Sequence, residues 1–128
     1  MTLWSIFRSP LIFGGDLPSN DAATTALITN EEILEVNQHS RGGHQALEKG
    51  NLRVWIADGE RPGERYVALF NLGEKSESER LAWSEIGVSG SVMELRDLWA
   101  HKSVLARSGI HLDLRPHASA LYLLTLRR

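Results

Sequence analysis

Five histidines and four tryptophans are the side chains with the most chemical potential in this chain. Imidazoles hold a metal when two of them project from one face, which needs a separation of two residues on a strand or four on a helix. His39, His44, His101, His111 and His117 offer neither spacing, so no metal ligand is assigned. His39 and His44 fall in a Gly-rich stretch, and the other three at strand ends or on a strand's polar face. Tryptophan rings can stack on sugars. Trp55, Trp83 and Trp99, however, lie on or beside apolar runs, which predicts core packing. The adjacent Arg96 and Asp97 would point to opposite faces of a strand. Asp97 is therefore expected to accept from backbone donors at the turn Ala100-His101, and Arg96 to find its partner across the sheet. Gly14-Gly15-Asp16 follows a short apolar run as a phosphate loop would, but lacks the lysine and further glycines of one. No catalytic, substrate-binding or metal residue and no cofactor is assigned.

The elements that would position such groups are organised around Arg65-Tyr66-Val67-Ala68-Leu69-Phe70-Asn71-Leu72-Gly73. A short run rich in Val, Phe and Tyr between turn-formers reads as a strand buried on both faces. Upstream, Leu3, Ile6 and Phe7 have helical spacing, and Pro10 ends that segment. Leu11-Ile12-Phe13 reads as a very short strand. Ser19, Asn20 and Asp21 can each cap a helix over Ala22 to Ile28. Asn30 is expected to cap the next, with Glu31 and Glu32 favoured in its first turn. Ile33, Leu34 and Val36 would form its buried side.

Between His39 and Gln45 the composition turns to His, Ser, Arg and Gly, which suggests a loop and a boundary. Residues 1–40 then form a helical segment and residues 45–128 a sandwich. Leu47-Glu48 pairs with Leu52 to Ala57 across Lys49-Gly50-Asn51 in a hairpin. Ser76 to Trp83, Val92 to Trp99, the strictly alternating Ile110 to Arg115 and the apolar Ala120 to Leu126 are the remaining strands. Turn signals at roughly ten-residue intervals are those of a sandwich. The predicted fold is mainly β: an antiparallel, Greek-key-like β-sandwich preceded by a short helical segment with one short strand.

Length and charge narrow the function. The 128 residues suffice for one ordinary domain, and no cysteine is present for a disulfide, a thiolate site or a thiol nucleophile. A net charge of −2 and a pI near 6.2 lack the basic footprint of a nucleic-acid binder. Met1 to Arg8 has neither the basic start nor the apolar core of a signal peptide. No apolar run approaches the ~20 residues of a membrane span. A soluble globular protein is expected, without nucleic-acid or membrane partners, in a compartment that the sequence leaves open.

Several stretches, in order, resemble the C-terminal end of the α-galactosidase (melibiase) family of glycoside hydrolases. Leu3-Trp4-Ser5-Ile6 with Ser9-Pro10-Leu11-Ile12-Phe13-Gly14-Gly15-Asp16-Leu17 resembles the family's helix and final barrel strand. Thr29 to Gln38 resembles the last barrel helix and its exit. Val67 to Gly73 and Leu95-Arg96-Asp97-Leu98-Trp99 resemble two strands of the C-terminal sandwich, and Pro116-His117-Ala118 its last turn. After Gln38 much of the family continues Asp-Pro-Leu-Gly, whereas His39-Ser40-Arg41-Gly42 stands here, which points to a divergent bacterial branch.

The resemblance implies a catalytic (β/α) barrel of ~250 residues, of which this chain holds only the last unit. It also implies two carboxylates, a nucleophile and an acid/base. The nucleophile lies in a Tyr-x-Lys-x-Asp strand, but Tyr66 and Tyr122 are followed by other residues. The acid/base lies in Arg-Ser-x-x-Asp, yet Arg8-Ser9 and Arg107-Ser108 lead to Ile12 and His111. Asp16, at the end of the barrel-like strand, is expected to cap. The chain therefore reads as the catalytically incomplete accessory sandwich of an α-galactosidase-like hydrolase. Its implied partner is the missing barrel. The alternative is a free-standing carbohydrate-binding or interaction module. Apolar Leu3, Trp4, Ile6 and Phe7 need cover, so a homodimer through residues 1–38 is also expected.

Overall fold

The computed structural model describes residues 1–90 and 92–126. Among them three helices precede eight strands. The helices are α1 (Thr2–Ile6), α2 (Ala22–Ile28) and α3 (Glu31–His39). The strands are β1 (Arg41–Lys49), β2 (Leu52–Asp58), β3 (Glu64–Asn71), β4 (Glu77–Ala82), β5 (Val92–Asp97), β6 (Lys102–Arg107), β7 (Gly109–Leu114) and β8 (Ser119–Leu126).

Strand composition decides which layer each one joins. Along β2, β3 and β8 apolar residues occupy both faces, so these strands need cover on both sides. Val54, Ile56, Val67, Leu69, Ala120 and Leu124 belong to one buried cluster. Their neighbours Ala57, Tyr66, Ala68 and Leu121 belong to a second. The six-stranded antiparallel sheet β1-β2-β3-β8-β5-β6 separates the two clusters, and β4 pairs with β7 as a second sheet. Leu81, Ile110, Leu112 and Leu114 carry that small sheet against the first cluster. The other face is covered by helices, through Ile6 of α1 and Ile33 and Val36 of α3. The result is two antiparallel sheets with a helical layer on the larger one.

Asn71 closes β3 and ties the connections together. It is buried, its Nδ2 lies 2.7, 3.1 and 3.0 Å from the carbonyls of Lys75, Leu114 and Arg115, and its Oδ1 accepts from Gly73 N at 2.9 Å. The β4–β7 sheet needs glycine at its junction. Gly109 has φ +158°, and a Cβ there would lie 2.2 Å from the Leu81 carbonyl oxygen.

Several expectations change. Leu11-Ile12-Phe13 forms no strand, and Ile12 is 89% exposed, because no neighbouring strand pairs with its backbone. The Gly-rich loop between His39 and Gln45 is instead the start of β1. Arg41 pairs with Asp58 and His44 with Ile56, with an irregularity between them. Gly42 takes φ +62° there, and Gly43 lies so close to α1 that a Cβ would meet the Ile6 carbonyl oxygen at 2.6 Å. Strand β6 was not anticipated; its Lys102, Val104 and Leu105 are exposed, as on an edge strand. The hairpin Leu47↔Val54, Glu48↔Arg53 pairs as expected. So does the capping: Asp21 accepts from Thr24 N at 2.6 Å and Asn30 from Ile33 N at 3.2 Å.

Candidate functional site

Three features could serve function: a polar clamp between helix and sheet, an uncovered apolar surface, and a cleft at one mouth of the sandwich.

The clamp starts from Glu32 in the first turn of α3. Its carboxylate receives Arg96 Nε at 2.6 Å and Nη2 at 2.7 Å, a two-pronged geometry that fixes the guanidinium. His101 Nδ1 lies 2.6 Å from the same carboxylate. Arg96 therefore pairs with a helix and not across the sheet. The hydrogen bond from Arg96 holds the Glu32 carboxyl below its ordinary range; partial burial opposes this and the His101 contact assists. Asp97 accepts from Trp99 N and Ala100 N, both at 2.9 Å, which sets the turn into β6. Asn30 Nδ2 donates to the Leu98 carbonyl at 3.1 Å. Trp99 Nε1 and Ser119 Oγ both donate to Thr2 Oγ1, and Asn37 Nδ2 reaches the Trp4 and Ser9 carbonyls. The helical segment is thus bolted to its own sandwich.

The apolar surface lies on residues 1–28. Among the described residues, Leu3, Trp4, Phe7, Ile12, Phe13, Leu17 and Leu27 are large, apolar and exposed. Trp4 is 60% and Phe7 59% exposed, although the Phe7 ring meets Trp55 edge-on at 5.4 Å. Of the four side chains expected to seek a partner, only Ile6 finds full cover within the chain. Helix α2 buries no residue at all.

The cleft, about 530 Å³, opens where β1 begins, β2 turns into β3 and β8 ends. Asp58 Oδ1 receives Arg65 Nη2 at 2.9 Å and Nε at 3.2 Å, while Arg65 Nη1 donates to the Gly87 carbonyl.

The histidines are dispersed. His39 pairs with Glu35, His101 with Glu32, His117 with Glu74, and His44 Nδ1 contacts the Gly42 carbonyl oxygen. Among the described residues no group of three or more His, Asp or Glu is placed to hold a metal. Trp83 is core, while Trp55 and Trp99 pack half-buried on the helical side. Asp16 precedes a 3₁₀ turn (Leu17–Ser19), but its side chain makes no capping bond. Sequence reasoning gave Glu32 only a helix-dipole role, and did not single out Arg41 and Asp58.

Residues 49–124 match the alpha galactosidase C-terminal beta sandwich domain. An alpha-galactosidase of Coffea arabica is 36% identical over 97% of this chain and 34% of its own length. Alpha-galactosidase 2 of Arabidopsis thaliana is 34% identical over 99% of the chain and 33% of its own. A GH27 β-L-arabinopyranosidase from Geobacillus stearothermophilus superposes with a TM-score of 0.90 at 39% identity, over 97% of this chain and 28% of that one. Alpha-galactosidase I of Mortierella vinacea gives 0.88 at 27% identity, over 98% of this chain and 34% of that one. The chain spans about a third of the length of the curated relatives it matches. It belongs to the family of α-galactosidase C-terminal β-sandwich domains.

Proposed function

We propose that this chain is the accessory sandwich portion of an α-galactosidase-like glycoside hydrolase and is catalytically incomplete alone. The observation that carries the reading is coverage: nearly all of this chain matches about a third of its relatives. Both catalytic carboxylate motifs of the family are absent from its sequence. The sandwich contributes a platform, because the clamp at Glu32 and the Thr2 contacts fix α3 and α1 to it. The missing partner is a catalytic barrel, and the exposed apolar side chains of residues 1–28 form the surface that meets it. A bacterial source is the finer form of this reading, supported by 39% identity to the Geobacillus enzyme.

The pure chain should turn over no aryl α-galactoside. Grafted in place of the Geobacillus enzyme's own C-terminal portion, it should return a soluble chimera with that enzyme's activity. Turnover by the isolated chain would overturn the reading.

Without a barrel the same surface pairs two copies of the chain. Burying each large apolar side chain contributes on the order of 1.5–3 kcal/mol, and Trp4, Phe7, Phe13 and Leu17 are available for it. Sedimentation at tens of micromolar should give a dimer that Trp4→Ser with Phe7→Ser converts to monomer. A monomeric parent chain at that concentration refutes the pairing.

A further inference from the structure

The cleft at the mouth of the sandwich has two walls of opposite character. Val88 and Leu126 make one apolar, and Arg41, Asp58, Glu60, Arg61, Glu64 and Arg65 make the other charged. The charged wall is not self-satisfied. Arg41 stands directly opposite Asp58 across β1 and β2, yet the carboxylate turns to Arg65 instead. Both Arg65 contacts fall on Asp58 Oδ1, so among the described residues Oδ2 remains an open acceptor. Arg41 has no ion pair or hydrogen bond among the described residues, and it lines the same cleft as that acceptor.

A free donor and a free acceptor lining one cleft opposite an apolar wall select a particular chemistry. The lining is balanced, with Arg41, Arg61 and Arg65 against Asp58, Glu60 and Glu64, so neither an inorganic anion nor a cation meets a net opposite charge. A neutral hydroxyl accepts from the guanidinium and donates to the carboxylate at once. A sugar ring adds an aliphatic face for Val88 and Leu126. The volume falls within the roughly 300–1,000 Å³ usual for small-ligand sites, room for more than one ring.

We propose that this cleft binds a short neutral saccharide, with Arg41 and Asp58 Oδ2 bridging adjacent hydroxyls. Among the described residues no aromatic ring lines the cleft, so stacking contributes nothing and binding is weak, in the millimolar range. The site rests on the cleft alone and does not depend on the hydrolase reading, because it is read by spectroscopy and not by turnover.

The test is amide chemical-shift mapping on the whole ¹⁵N-labelled chain, titrated separately with melibiose, maltose and inorganic phosphate. A saccharide should shift Gly59, Gly63, Gly87 and Ser89 saturably, and phosphate should not. Arg41→Ala should weaken saccharide binding by roughly tenfold with the remaining spectrum unchanged, and Asp58→Asn should weaken it too. Three results would each overturn the proposal: no saturable shift with either saccharide, unaltered affinity in both variants, or tighter saturation by phosphate than by saccharide.

Discussion

Glu32 joins two groups that sequence places far away, since Arg96 lies 64 positions along the chain. Distance in sequence explains what was legible among single residues. Asp21, Asn30 and Asp97 bond backbone groups two or three residues on, and their roles could be read from local order. Glu32 and Arg96 meet only because α3 crosses the sheet, so neither spacing nor composition marks the pair. The clamp sets an acid dependence. Its folded carboxyl titrates below the ordinary value of 4.5, chiefly through the Arg96 hydrogen bond. Its contribution is therefore complete above that value and is lost as pH falls through the lower folded one. The Glu32 side chain is 28% exposed, and solvent screening holds the contribution to roughly 1 kcal/mol. Glu32→Gln should melt earlier than the parent at neutral pH, with the gap closing as pH falls below the ordinary value of 4.5. Melting curves that stay parallel through that fall would remove Glu32 from the acid response.

Among elements, the strands buried on two faces could be read and the edges could not. The apolar runs Val67-Ala68-Leu69 and Leu121 to Leu124 state their own position, because only a central strand buries both faces. Strands β1 and β6 pair on one side and stay mostly exposed, so neither needs a continuous apolar run: β1 opens with the loop-like Arg41-Gly42-Gly43-His44, and β6 is the short, charge-flanked Lys102–Arg107. The helices illustrate the opposite case: their boundaries were legible and their docking was not. Ile33 is fully buried and is the principal apolar anchor of α3, together with Val36 and Ile6 of α1. Ile33→Ala should cost about 2–4 kcal/mol. Hydrogen exchange should show the loss concentrated in α1 and α3, with β3 and β8 amides still protected. Uniform loss across the sheet would mean that helices and sandwich open as one unit.

At the scale of the molecule, the sandwich was legible and the third layer was not. Residues 1–39 read as part of a barrel unit with nothing local to rest on, yet their helices α1 and α3 supply cover for one face of the large sheet. That cover needs Ala57, Tyr66, Ala68 and Leu121 to form one face, and they come from three strands spread over much of the chain. The order of assembly is therefore unlike the order of synthesis. Strand β3 ends at Asn71, and its neighbour β8 begins only at Ser119. At ~5–20 residues per second a ribosome leaves one side of β3 unpaired for on the order of seconds. During that interval α1 has no Ser119 to bond and only part of its docking face. The nascent chain thus exposes an apolar strand edge and an unseated helix together, and a chaperone that shields β3 until β8 emerges would protect both.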